Sequence, residues 1–123
     1  MIILRELNPK KYDTTKEMDE NLAVLLSMLN QVRAEYGKPM TITSGLRSQA
    51  DQKRINPKAP QSKHLIGAAA DVFDPRGELK VWIMQNMDLI EKIGLYLEDF
   101  GSTPTWVHFQ CLPPKSGKRM FIP

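Results

Sequence analysis

The chain contains only two histidines, His64 and His108, and neither falls on a helical stripe. His64 lies in a polar, proline-punctuated stretch seven residues before Asp71. If Ala69 to Phe73 is extended, Ala69, Asp71 and Phe73 share one face, where an aspartate between apolar neighbours requires a partner. His108 sits within Thr105-Trp106-Val107-His108-Phe109-Gln110. Strand alternation there puts Trp106, His108 and Gln110 on one face and Val107, Phe109 and Cys111 on the other. A histidine and an aspartate from two such strands can meet across a sheet. Two imidazoles and one carboxylate make a three-ligand zinc site with the fourth position left for water, the arrangement of catalytic rather than structural zinc. The same residues also read as two singly satisfied histidines and a capping or salt-bridged aspartate. Cys111, on the opposite strand face, reads as a small hydrophobe rather than a fourth ligand.

These residues need elements to position them. Thr14-Thr15-Lys16-Glu17 fits a capping box, and Met18, Leu22, Leu25, Leu26, Leu29 and Val32 follow at helical spacing until Gly37-Lys38-Pro39 ends the run. Pro39 to Thr43 reads as a short strand, Ser44-Gly45 as a turn, and Arg47 to Arg54 as a short helix. Asn56 to Lys63, with Pro57 and Pro60, is loop. Small residues from Gly67 to Ala70 lead into the strand Asp71-Val72-Phe73, which Asp74-Pro75 stops. A helix is predicted from about Pro75 to Met87, with Trp82, Met84 and Met87 as core candidates. Asp88-Leu89-Ile90-Glu91 reads as a second cap, and Gly94 closes the short helix after it. Leu95 to Leu97 and Thr105 to Gln110 complete the strands. The pattern is α+β, a single domain over residues 1–123 with a small antiparallel sheet and helices packed on one side.

Size and composition narrow the classes. A domain of 123 residues, 41% of them hydrophobic, buries enough surface to fold without a disulfide or structural metal. The single cysteine excludes an internal disulfide framework. The apolar run before Arg5 is too short for a signal-peptide core, and no apolar stretch is long enough to span a bilayer, so synthesis in the cytoplasm is expected and no membrane partner is. The net charge of +3 arises in Leu112 to Pro123, which carries Lys115, Lys118 and Arg119 and no acid. With no aromatic residue interleaved among these charges, the segment reads as a solvated tail rather than a nucleic-acid footprint. A monomer is expected.

Three segments carry a resemblance. Ser62-Lys63-His64-Leu65-Ile66-Gly67-Ala68-Ala69-Ala70-Asp71 resembles the S-x-H-x-x-G-x-A-x-D motif of zinc peptidoglycan peptidases, the D-alanyl-D-alanine carboxypeptidase and L-alanyl-D-glutamate endopeptidase group. Trp106-Val107-His108 is similar to that family's later W-x-H. Thr43-Ser44-Gly45-Leu46-Arg47-Ser48 resembles its S-G-[YF]-R-S segment, with Leu46 in place of the usual aromatic. The motifs occur in family order across residues 43 to 110, and the compact form without a separate wall-binding domain is similar to phage-encoded endolysins.

The resemblance implies a hedgehog-like fold in which His64, Asp71 and His108 hold one zinc ion. It implies hydrolysis of a peptide bond in the stem or cross-link peptide of bacterial peptidoglycan, reached from the cytoplasm by a holin-type release. Arg47 would steady a substrate carbonyl or oxyanion, a role its cationic fork suits. Ser62 reads as a substrate contact or a turn cap, and Trp106 as the floor of the substrate cleft or a core residue. Many members place a glutamate three residues before the last histidine, where this chain has Thr105. The nearest acids are Glu98 and Asp99; Glu98 is the expected base because of its reach, Asp99 being the alternative and a candidate cap for the turn at Gly101. A hedgehog-like domain can also keep its ligands as a non-catalytic zinc-binding module, which the lack of a proton-transfer carboxylate would mark. A basic nucleic-acid-binding protein would leave His64, Asp71 and His108 unexplained.

Overall fold

Thr15 starts the longest helix by accepting a hydrogen bond from the Met18 backbone on its hydroxyl. In a computed structural model that describes residues 1–123, this helix, α2, spans Lys16–Tyr36 and follows a single turn of helix, α1, at Leu4–Leu7. Then come β1 (Ile42–Ser44), α3 (Gln49–Ile55), β2 (Ala69–Phe73), α4 (Glu78–Gln85), α5 (Met87–Ile93), β3 (Tyr96–Glu98), β4 (Trp106–Gln110) and β5 (Met120–Phe121). Short 3-10 turns cover Lys63–Ile66 and Phe100–Ser102.

The sheet has five strands in the order β1-β2-β4-β3-β5. All its pairings are antiparallel except β3 with β5, which is parallel. One face is apolar: Ala70, Val72, Leu97, Val107 and Phe109 pack with Leu22, Leu25, Leu29 and Val32 of α2 and with Leu79, Ile83 and Ile90 of α4 and α5. Strand alternation sends Asp71, His108 and Gln110 to the other face. The result is the expected α+β domain with helices on one side of the sheet, an architecture compatible with a hedgehog-like fold.

Several local expectations are corrected. Residues 112–123 are not a free tail: Leu97 donates its N–H to Arg119 O at 2.8 Å, and the Arg119 guanidinium lies 4.2 Å from the centre of the Tyr96 ring. The open edge of β3 supplies the pairing. Asp88 does not cap α5; Asn86 occupies that position and Asp88 lies in the first turn, where its charge suits the helix dipole. The helix after β2 begins at Glu78 because the Asp74 carboxylate accepts from the N–H groups of Leu79 and Lys80. Met84 is exposed together with Val81, one turn earlier on the face opposite Leu79 and Ile83. Trp82 and Met87 do pack against the core.

Candidate metal centre

Ser62 accepts a hydrogen bond from the His64 N–H and so caps the 3-10 turn that carries this histidine. Gly67 ends the turn at φ +75°, and any Cβ there would lie 2.9 Å from Leu22 Cγ and 3.1 Å from Met18 O. Glycine is therefore required both for the left-handed backbone and for the approach of the turn to α2. The His64 Nδ1–H donates to the Gly45 carbonyl at 2.9 Å, which leaves the Nε2 lone pair directed at Asp71. Gly45 itself sits against α1, where a Cβ would come within 2.3 Å of Leu7 O.

Asp71 and His108 are directly opposite in the β2–β4 register. Asp71 Oδ1 lies 3.0 Å from His108 Nδ1 and 3.3 Å from His64 Nε2. Zinc bonds of about 2.0–2.1 Å at tetrahedral angles give donor-to-donor edges of about 3.3 Å, so these spacings fit that ion. The ligand atoms of the three residues lie within 4.8 Å of one another, and all three side chains are buried. Burial alone would raise the Asp71 carboxyl, but the two adjacent imidazoles, His108 and His64, hold it well below the usual carboxylate range. Burial works against a proton on His108, and contact with Asp71 outweighs it and raises that imidazole above its ordinary value. An anionic carboxylate flanked by two imidazoles is a donor set that favours a cation between them.

Arg47 is half-buried beside them and held by three bonds. Its Nη2 donates to Asp71 Oδ2 at 3.1 Å, Nη1 to Gln52 Oε1 at 2.9 Å and Nε to Ser44 Oγ at 2.9 Å. Asp71 thereby presents Oδ1 to the histidines and Oδ2 to the guanidinium. Burial pulls the Arg47 pKa down, and Asp71 opposes the shift. The segment Ser44-Gly45-Leu46-Arg47-Ser48 is used residue by residue. Ser44 holds Arg47, Gly45 holds His64, Leu46 is in the core, and Ser48 caps α3.

The three residues line a cleft of about 720 Å³. Glu98 reaches it from the end of β3, with Oε2 3.7 Å from His108 Nε2. Asp99 instead accepts from the Gly101 N–H at 3.1 Å and caps the following turn. Trp106 is half-buried, lines the cleft and stays outside the apolar core. Ser62 lines it too, while Cys111 packs against the core, its thiol pKa raised by burial.

A sequence model of the peptidase M15 family matches residues 2–109. The chain belongs to the peptidase M15 family. No curated protein and no solved structure matches it. M15 peptidases are zinc-dependent metallopeptidases acting on peptide substrates, and the His64, Asp71 and His108 cluster fits that cofactor.

Within this M15 chain the structure adds site residues that sequence reasoning passed over. Gln110 shares the strand face of His108 and is hydrogen-bonded to it. Gln52, buried in α3, ties Arg47 to the 56–60 loop through the carbonyls of Asn56 and Ala59. Lys115 and Phe121 reach the cleft from the C-terminal segment. Alternation pointed to Gln110; no short-range pattern pointed to the other three.

Proposed function

We propose that this M15 chain is a peptidoglycan peptidase that holds one zinc ion on His64 Nε2, Asp71 Oδ1 and His108 Nδ1 and hydrolyses a peptide bond of the stem or cross-link peptide. The observation that carries the reading is the convergence of those three atoms, at spacings that suit zinc, beside Glu98 and Arg47 in one cleft. Zinc, when bound, supplies the Lewis acidity that makes water nucleophilic near neutral pH. Glu98 takes the proton from the attacking water and returns it to the leaving amine. Asp99 is the less suitable base because its carboxylate is engaged by the Gly101 N–H. Arg47 retains N–H groups beyond its three internal bonds, and these stabilise the oxygen of the attacked carbonyl as charge develops on it. Ser62 acts by holding the turn of His64, and Trp106 provides a flat apolar wall for the substrate.

The peptidoglycan assignment has support in the charge of the cleft. Lys58, Lys63 and Lys115 stand on its walls, none paired with an acid, and Glu98 is the one lining carboxylate besides Asp71. Such walls suit a peptide rich in carboxylates, as wall stem peptides are. The motif resemblance further favours a phage endolysin role at the cell wall, with either D-Ala-D-Ala carboxypeptidase or L-Ala-D-Glu endopeptidase activity. The presence of Glu98 in the cleft favours an enzyme over a non-catalytic zinc-binding module.

Digestion of purified muropeptides, followed by mass spectrometry, tests this. Cleavage should be abolished by a chelator and restored by zinc. Loss of one terminal alanine would mark the carboxypeptidase, and release of the peptide from L-alanine the endopeptidase. Zinc-loaded protein that leaves every stem peptide intact would overturn the assignment.

A further inference from the structure

Gln110 is 3% exposed at the end of β4, and nothing in the proposed proton-transfer chemistry uses it. Its amide makes two bonds. Nε2 donates to the Leu112 carbonyl at 2.8 Å, and Oε1 faces His108 Nε2 at 2.8 Å. The polarity of this chain is fixed from its outer end. A backbone carbonyl only accepts, so the amide nitrogen must face Leu112 and the amide oxygen must face the imidazole. That oxygen also only accepts, so the proton in the contact belongs to His108 Nε2. In the neutral ring Nδ1 then carries a lone pair, pointed at Asp71 Oδ1 3.0 Å away. A lone pair facing a carboxylate oxygen at that distance repels it unless a cation lies between them.

We propose that Gln110 is a positioning residue that fixes the His108 tautomer and so makes Nδ1 the metal-binding atom. This rests on the zinc reading above and deepens it. A second acceptor is near: Glu98 Oε2 is 3.7 Å from the same His108 Nε2. With the Nε2–H bonded to Gln110, the Glu98 carboxylate stays free for proton transfer in the cleft. Without the amide oxygen, Glu98 is the remaining nearby acceptor, and its swing onto His108 would remove the base from the cleft. A neutral partner also adds no further carboxylate to a cleft that already holds Asp71 and Glu98.

The test combines the wild type with two variants. In the zinc-loaded, 15N-labelled wild type, long-range imidazole spectra should show His108 protonated on Nε2 with Nδ1 on the metal. His64 should show the reverse, protonated on Nδ1, where Gly45 accepts. Gln110→Met keeps length and removes the acceptor, and zinc affinity measured against a chelator should fall about 10- to 100-fold. Gln110→Glu keeps an acceptor toward His108 at the same reach, though it gives up the bond to the Leu112 carbonyl, and should retain clearly more zinc affinity than Gln110→Met. His108 protonated on Nδ1 in the wild type would overturn the proposal without any variant. Equal affinity in Gln110→Met and wild type, or equal losses in Gln110→Met and Gln110→Glu, would overturn it as well and leave the zinc site standing. A wild type that binds no zinc overturns both.

Discussion

The floor of the cleft and its rim are built by different physics. On the floor, Asp71 and His108 are locked by strand register, His64 by a capped turn, and Arg47 by three hydrogen bonds, so every polar group has a fixed partner. On the rim, Lys58 and Lys115 are exposed and unpaired, carried by the 56–63 loop and by the segment after β4. Chemistry needs atoms held to a fraction of an ångström, whereas attraction of a charged substrate needs only net charge of the right sign near the opening. Substitutions on the floor should therefore act steeply and on single functions. Those on the rim should act weakly and depend on salt.

The steepest effect is expected at Glu98. Glu98→Gln keeps the shape and removes the base, so activity on muropeptides should fall about 10²- to 10⁴-fold while zinc content is unchanged. Asp99→Asn, which alters only a turn cap, should leave most activity. If the two variants exchanged these behaviours, the base would be Asp99. If neither mattered, proton transfer would not run through the end of β3.

Next comes Arg47. Arg47→Lys retains a charge near Asp71 but cannot reach Asp71, Gln52 and Ser44 together, and should lower turnover about 10²-fold with the metal still bound. Full turnover in this variant would move Arg47 from the chemistry to the scaffold.

Acidity separates metal-free from zinc-loaded protein. The Asp71 pKa is depressed below its ordinary 3.8, so its stabilising contribution is present above that pH and lost as pH falls through the depressed value. The His108 pKa is raised above its ordinary 6.5, so its contribution is complete below 6.5 and lost as pH rises through the raised value. Metal-free protein should accordingly melt at a higher temperature at pH 5.5 than at pH 8. Zinc binding requires neutral imidazoles, so its stabilising effect should run the other way, large at pH 8 and small at pH 5.5. Melting curves with chelator and with zinc at both pH values check the two signs, and a zinc effect independent of pH would count against histidine ligation.

The smallest effect belongs to the rim. Lys115→Ala should change kcat/KM only a few-fold, through KM, and the difference should shrink at high salt as screening removes the attraction. Its melting temperature should be that of the wild type. A loss of kcat that persists in salt would place Lys115 on the floor side of the comparison.

The same contrast explains how much was legible in the sequence. Floor residues follow local rules: two-residue alternation puts Asp71 and His108 on the face away from the core, and the spacing from Ser62 to Asp71 marks the turn between them. Asp99 was legible as a turn cap because an aspartate two residues before Gly101 can accept its N–H. Rim residues depend on pairings between distant segments. Met120 and Phe121 form a strand only because β3 offers an open edge, and two residues carry no detectable period. Gln52, which holds Arg47, depends on a distant pairing in the same way: it lies on the short helix predicted from Arg47 to Arg54, and its burial arises from the 56–60 loop folding back over it. The misplaced cap at Asp88 has a similar origin, since Asn86 closes α4 and opens α5 at a single residue.

His64, Asp71 and His108 are expected to hold one zinc ion together. Zinc content and affinity of wild type, His64→Ala and His108→Ala, measured at pH 8 by competition with a chelator, address this most directly. One zinc per chain is expected in the wild type, with affinity lowered by orders of magnitude in each variant. Wild-type affinity in either variant would contradict the site.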